Sequence, residues 1–259
     1  SPLKTLCRQR TLPNFKESTA IRLGEMGRLE PLNEAGEITA TSRAENGEGL
    51  RLGTFARGFT VTRELLVNDD LGMLGDATSA LGEAAAQTEA DELVKRFTSN
   101  PALSDGTPVF DASRGNIAAA GDPSVATLTE TRQTMRTRKG TDGKTIIAVA
   151  PRYLLVSAAL ETEAEKVLAA IQPTTTSDVN PFGGKLSLLV EPRLPDDAWY
   201  VFADPARLPA MQYAYLSAAQ GVQIQRTEAW DTLGMKFRAY LDFGCGWLDW
   251  RAAHKIPVA

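Results

Sequence analysis

The segment Asp76–Ser99, DATSALGEAAAQTEADELVKRFTS, predicts the longest helix in the chain. Asp76 is of a residue type that caps helix N-termini, and Pro101 stops the helix because the residue before a proline disfavours the α conformation. Small and apolar side chains recur at helical spacing, in stripes that drift around the axis: Leu81, Ala84, Ala85, Thr88, Ala90, Leu93, Val94 and Phe97. At about 1.5 Å per residue the helix is about 35 Å long, a rod suited to close packing along a flat subunit.

The residues before this helix predict a polar β-hairpin. Glu37–Thr41 and Phe55–Val61 have the composition of strands, and Glu45–Gly49 between them contains an Asn-Gly pair, which is typical of tight turns. The hairpin has little apolar surface on either face, and an isolated two-stranded ribbon is only marginally stable in water. We therefore expect the hairpin to lean on another copy of the same chain.

The first 23 residues predict an arm that is extended or partly helical. It is basic at its start and is interrupted by Pro2 and Pro13. A segment with so few clustered apolar side chains gains little by folding on itself, so we expect it to lie on another surface.

Downstream of the long helix the pattern changes between helices and strands. A second helix is predicted with Asp122 as its N-cap, Pro123 in its first turn and Gly140 at its end. The other predicted elements are a strand region over Lys144–Val156, a helix over Ala158–Ile171 and strands over Leu186–Val190, Trp199–Ala203, Val222–Thr227 and Met235–Phe243. A hairpin, a long helix, a mixed region and a run of strands predict the α+β class.

The composition indicates a folded protein without a strong affinity for nucleic acid or membrane. Among the 259 residues 43% are hydrophobic and 23% are charged, and the net charge is −4. No apolar run reaches the roughly 18–20 residues that span a bilayer, and a strongly basic footprint for nucleic acid is absent. The cations Arg132, Arg136, Arg138 and Lys139 are interpreted as a solvated helix end, because positive charge is stabilised near a helix C-terminus.

Residues that could carry chemistry are few. Cys7 and Cys245 lack the spacing of metal ligands, and we expect both to be free thiols. His254 is the only histidine, so neither a zinc site nor a nucleophilic triad can be built around it. The Gly-Lys-Thr sequence at 143–145 resembles the end of a phosphate-binding loop, but Arg138 stands where that motif needs a glycine. We therefore expect no enzyme, no cofactor and no metal ion.

Several stretches of the second half resemble a known family. Arg238–Gly246, followed by Trp247–Arg251, resembles the closing strand of the major capsid proteins of Mu-like phages and prophages. Trp199–Pro205 and Ala150–Val156 resemble earlier strands of the same family. The resemblance runs in chain order over about Phe15–Lys255. It implies a tailed-phage major capsid protein with the Hong Kong 97-type fold.

The resemblance also implies a division of the chain into four regions. Residues 1–27 are then an N-terminal arm, and residues 28–61 an extended loop in the form of a β-hairpin. Residues 62–124 and 232–259 form a peripheral domain that includes the spine helix over 76–99, and residues 125–231 form an axial domain. In such proteins the extended loop lies across the adjacent subunit, which agrees with a hairpin that needs a neighbour.

The extended loop supplies the candidate contacts between subunits. Its charges of both signs could pair across the interface and set its register, since exposed ion pairs contribute only about 0–1 kcal/mol each. The candidates are Arg43, Glu45, Glu48, Arg51, Arg57, Arg63 and Glu64. Some relatives join their subunits covalently through a lysine on this loop. This chain has no lysine between Lys16 and Lys95, which predicts non-covalent joints.

The function implied by the resemblance is assembly. Hexamers and pentamers would close into the icosahedral shell of a virion that encloses double-stranded DNA, after assembly in the host bacterial cytoplasm. Expected partners are further copies of the chain, a portal, a head protease and a decoration protein. Cleavage by the protease would make Ser1 a mature terminus, and removal of an initiator methionine would explain it equally. Two alternatives stay open: an encapsulin-like nanocompartment shell, and an α+β enzyme that acts on a small molecule.

Overall fold

The computed structural model describes residues 1–23, 45–68, 73–140, 143–169, 182, 184–228 and 233–259. Within them the α-helices are α1 (Arg63–Val67), α2 (Met73–Thr98), α3 (Val125–Arg136) and α4 (Glu161–Leu168). The strands are β1 (Cys7–Leu12), β2 (Ser18–Leu23), β3 (Glu45–Leu50), β4 (Gly53–Thr62), β5 (Pro151–Val156), β6 (Ser187–Val190), β7 (Ala198–Ala203), β8 (Met211–Leu216), β9 (Gln223–Glu228), β10 (Gly234–Trp247) and β11 (Ala253–Pro257). The α+β class predicted from the sequence is confirmed.

The longest strand, β10, is the centre of a five-stranded sheet. It pairs antiparallel with β4 along the whole length of β4, from Gly234 opposite Thr62 to Phe243 opposite Gly53. Its other edge pairs with β9 near its start and with β8 near its end, and β8 pairs in parallel with β1. The sheet therefore joins strands from both ends of the chain.

A second sheet has four strands in the order β11-β7-β5-β6. Every residue of β7 is buried because both faces of this sheet are covered. On one face the ring of Phe97 meets that of Tyr200 at 4.7 Å between centroids. On the other face Trp199 donates a hydrogen bond from Nε1 to the carbonyl oxygen of Gly121 at 2.8 Å.

Helix α2 packs against β10 and connects the two sheets. Its buried residues Leu93 and Phe97 belong to the main core, where the ring of Phe97 stacks on Trp247 with 5.4 Å between centroids. The long helix predicted over residues 76–99 is confirmed. It begins at Met73, so Asp76 lies inside the helix and does not cap it.

The predicted hairpin is wrong in its pairing. β3 pairs with β2, and the Asn-Gly pair at its start lies in the strand instead of forming a turn. The glycine serves close packing: a Cβ at Gly47 would lie 2.3 Å from Cγ2 of Thr19. Phe55–Val61 is a strand as predicted, but it is part of β4 and pairs with β10 of the same chain. The predicted partner strand Glu37–Thr41 lies outside the described residues.

Other differences from the sequence prediction concern caps and short strands. α3 is capped by Ser124, whose Oγ accepts a hydrogen bond from the Thr127 amide at 3.2 Å, and not by Asp122. Strands β1, β8 and β11 were not predicted, because each is short and lacks a clean apolar–polar alternation. The sheets also draw on more than one predicted region. Strands β8 and β9, from the predicted region 125–231, both pair with β10, which belongs to the region 232–259. Strand β11, also from 232–259, pairs with β7 of the region 125–231.

Candidate assembly surfaces

The pair β2–β3 forms a ribbon that is separate from both larger sheets. Its register runs from Ser18 opposite Leu50 to Leu23 opposite Glu45, and no other described strand is hydrogen-bonded to it. Its base is anchored, because Leu50 and Leu52 pack with Leu12 in a small buried cluster. The ribbon therefore leaves the body of the subunit at a fixed point.

The predicted contact residues differ in their surroundings within the described part of the chain. Glu48 is bound within its own chain, since its Oε1 accepts hydrogen bonds from the amide and the hydroxyl of Ser104 at 3.0 and 2.7 Å. Four others are exposed and form no side-chain hydrogen bond or ion pair with any residue that the structure describes: Arg51, Arg57, Arg63 and Glu64. Glu45 lies at the start of β3, and Arg43 lies outside the described residues.

The first part of the arm that was expected to lie on another surface, residues 2–12, packs on its own body instead, and the last part, Ser18–Leu23, is β2 of the ribbon. Residues 2–6 form a 3-10 turn in which Leu3 and Leu6 are 0% and 1% exposed. β1 follows this turn and pairs with β8 along its whole length. The prediction failed because the two leucines, isolated in the sequence, fill a place in the main core.

Polar contacts fasten this turn to α2. The Nζ of Lys4 forms an ion pair with Glu89 and lies 3.0 Å from the hydroxyl of Tyr215, which donates to Oε1 of Glu89 at 2.8 Å. Burial alone would lower the pKa of Lys4, but the hydrogen bonds to Glu89 and Tyr215 outweigh it and raise the pKa. The half-buried ammonium therefore stays charged between the turn and the helix.

A second buried carboxylate, that of Glu191, is hydrogen-bonded to Ser1. Glu191 is fully buried, and its Oε2 accepts a hydrogen bond from the Ser1 hydroxyl at 2.5 Å. Arg193 contacts the other carboxylate oxygen at 3.0 Å and also reaches Asp91 of α2 at 2.8 Å. Sequence reasoning missed both clusters because their members are far apart in the chain, so no local spacing marks them.

The cation cluster interpreted as a solvated helix end contains one buried member, and for Arg138 that interpretation is wrong. Its Nη1 donates to the carbonyl oxygens of Arg251 and Ala253, and its Nη2 lies 2.7 Å from Nδ1 of His254. Burial and the positive charge of Arg138 lower the pKa of His254 to about 3. The only histidine is therefore a neutral, buried partner of an arginine.

The described residues contain little that resembles an active site. No group of three or more histidine, cysteine, aspartate or glutamate residues within them is placed to hold a metal ion. Cys7 and Cys245 are free thiols, as predicted, and burial raises the pKa of Cys245 to about 12, which makes it a poor nucleophile. Among the helices of the described part of the chain, none is long and apolar enough to cross a membrane.

Comparison with solved structures identifies the architecture. The capsid of cyanophage P-SCSP1u matches with a TM-score of 0.70 at 10% identity, over 99% of this chain and 88% of that one. The capsid of a native GTA particle matches with a TM-score of 0.68 at 9% identity, over 100% and 90%. The capsid of Myoviridae phage XM1 matches with a TM-score of 0.61 at 11% identity, over 99% and 91%. At such low identity the likeness shows the fold alone.

These matches define the Hong Kong 97-type capsid fold. The model of the phage capsid protein family matches residues 47–256, and the chain belongs to that family. No curated protein shows significant similarity to it. The resemblance to tailed-phage major capsid proteins is therefore confirmed: the chain is a structural protein of a capsid shell and a component of the virion.

Proposed function

We propose that this chain is the major head subunit that assembles into hexamers and pentamers of an icosahedral shell around double-stranded DNA. The observation that carries the proposal is the β2–β3 ribbon, which is anchored at its base and pairs with no other described strand. Two-stranded ribbons are marginal alone, so a neighbouring copy is the surface that completes it. Repeated heterologous contacts of this kind close into rings when the rotation between copies allows it.

We assign the parts of the shell as follows. Residues 62–124 and 232–259 form the peripheral domain and residues 125–231 the axial domain. The β2–β3 ribbon is the extended loop; it takes Ser18–Leu23 from the predicted arm and Glu45–Leu50 from the predicted loop. The exposed charges Arg51, Arg57, Arg63 and Glu64, together with Arg43 and Glu45, contact adjacent copies. Each such pair contributes little by itself, which allows wrongly placed subunits to leave.

The remaining partners are those of a head that is filled with DNA. We infer a portal, a head protease and a decoration protein, with assembly in the host bacterial cytoplasm. The net charge of −4 suits a wall that confines DNA without gripping it, because affinity for DNA depends on cations that neutralise phosphates.

The test is electron microscopy of negatively stained, purified protein under assembly conditions. We expect closed icosahedral particles. A single-copy species that never assembles contradicts the proposal and favours the enzyme alternative. Particles from an infected or induced host that hold protein cargo and no DNA favour the encapsulin-like alternative.

A further prediction concerns the joints of the shell. Since no lysine lies between Lys16 and Lys95, the extended loop has no amine for an isopeptide bond. Particles boiled in denaturant should run as one band at the mass of a single chain on a gel. A ladder of linked subunits would contradict non-covalent assembly.

A further inference from the structure

The end of α3 and the residues that follow it form an exposed cationic surface. Arg136 closes α3 and Lys139 follows three residues later, and both side chains are exposed. Neither forms a side-chain hydrogen bond or an ion pair with any residue that the structure describes. Lys139 lies directly opposite Ile146 in an antiparallel β-bridge, so these two side chains point to the same side of it. We call Arg136, Lys139 and Ile146 the cationic patch.

The cationic patch borders a groove with a largely apolar lining. Ile146 is 59% exposed and lines this groove, which has a volume of about 490 Å³. Val149 and Leu208 lie on the same lining, and its two charged residues, Asp204 and Arg207, have opposite signs. The excess charge at the groove is therefore that of the two cations beside it. A partner that fits has to present carboxylates next to apolar atoms.

Helix α4 carries groups of this kind. Glu161 and Glu165 are four residues apart, so they lie on one side of the helix, and both are exposed. Within the described part of the chain, neither carboxylate forms a side-chain hydrogen bond or an ion pair. Glu163, in contrast, is paired with Lys166 at 2.7 Å. We call Glu161 and Glu165 the acidic stripe.

The two surfaces lie on opposite sides of the four-stranded sheet. The cationic patch lies beside β11, because Arg138, which precedes Lys139, donates a hydrogen bond to the carbonyl oxygen of Ala253 in that strand. Helix α4 packs against β5 and β6. Since β11 and β6 are the two edges of the sheet, about three strand spacings, or about 14 Å, separate them. The two surfaces can therefore meet only when they belong to different copies.

We propose that the acidic stripe of one copy docks on the cationic patch of the next copy around a ring. The two carboxylates then face the two cations, and the contact covers Ile146. A contact between two different surfaces repeats from copy to copy and closes when the rotation between them allows it. Exposed ion pairs are weak singly, so this contact fixes the rotation between copies more than it adds affinity. The inference rests on the proposed function, because it requires rings of copies.

Charge reversal in two separate chains tests the pairing. One variant carries Arg136→Glu and Lys139→Glu, and the other carries Glu161→Lys and Glu165→Lys. Each variant has two surfaces of like charge, so each alone should need at least about tenfold more subunit to form particles, as measured by light scattering. An equimolar mixture should recover most of this loss, because opposite charges meet wherever the two variants alternate.

The mixture also separates a lost contact from a lost fold, since two misfolded chains do not rescue each other. Variants that assemble alone as readily as the unsubstituted chain overturn the inference, and so does a mixture that assembles no better than either variant. Both results leave the proposed function standing when the unsubstituted chain forms particles. Failure of the unsubstituted chain to form particles overturns the proposed function, and this inference with it.

Covalent linkage provides a readout that does not depend on charge. A chain carrying Lys139→Cys and Glu161→Cys is assembled and treated with a short bismaleimide that spans a lysine–glutamate pair; the native thiols are largely buried. We expect linked chains of two or more copies on a denaturing gel. Lys139→Cys with Glu163→Cys is the matched control, because residue 163 lies on another side of α4, and it should give at least about tenfold less linked product. Equal yields from the two pairs, or links only within single chains, contradict the proposal.

Discussion

At the scale of single residues, His254 links the stability of the subunit to pH. Its pKa is lowered from 6.5 to about 3 by burial and by Arg138, so the unfolded chain binds a proton in this range and the folded chain does not. Stability contributed by this group is complete above pH 6.5 and is lost as the pH falls towards 3, by about 3–5 kcal/mol in all. His254→Gln keeps an acceptor for Arg138 and should flatten the pH dependence of urea unfolding between pH 7 and 4. An unchanged pH dependence would assign the acid sensitivity to other groups.

At the same scale, Gly244 lies where β10 closely approaches the backbone of a neighbouring segment. A Cβ there would lie 2.3 Å from the carbonyl oxygen of Arg51, in the link between the ribbon and β4. Gly244→Ala should lower the free energy of unfolding by about 1–3 kcal/mol, because the backbone has to move. Gly246→Ala is the matched control, since its nearest neighbours are 3.6 Å away. Equal thermal stability of the two variants would contradict this account.

At the scale of elements, the N-terminal turn holds the start of β1 against α2. Leu3 is fully buried, and Lys4 is paired with Glu89. Leu3→Ala should cost about 2–5 kcal/mol of unfolding free energy and should increase proteolysis near the terminus. Phe15→Ala, at a side chain that is 43% exposed, should have little effect on the isolated subunit. If both variants were equally stable, the turn would not be part of the core in solution.

At the scale of the whole molecule, substitutions of the exposed charges should affect assembly and leave folding unchanged. Arg57→Ala and Glu64→Ala should leave the unfolding free energy of the subunit within about 0.5 kcal/mol, because these side chains are exposed. Both should raise the concentration at which particles form, as measured by light scattering. Glu48→Ala, in contrast, should destabilise the isolated subunit as well, because this substitution removes the hydrogen bonds between Glu48 and Ser104. Loss of subunit stability in the first two variants would place them in the fold and not in the interface.

Elements with a strong local pattern were predictable from the sequence. Helix α2 follows from the spacing of its apolar residues. β7 follows from a dense run of aromatic and apolar residues, and most of β10 follows from apolar residues that alternate in part with charged ones. The composition also shows that no site can be built on several histidines of one chain, since the sequence has a single one. These features depend on neighbours in the chain, which a sequence displays directly.

Only the tertiary structure decided which strands pair and which polar groups are buried. The Asn-Gly pair at the start of β3 predicted a turn, yet the strand there pairs with β2, and β4 pairs with β10 almost two hundred residues later. Likewise the sequence predicts Arg138 as a surface cation, but in the structure its guanidinium is buried against His254 and backbone carbonyl groups. Strand register and burial are set by contacts between distant residues, whose free energy no local pattern contains.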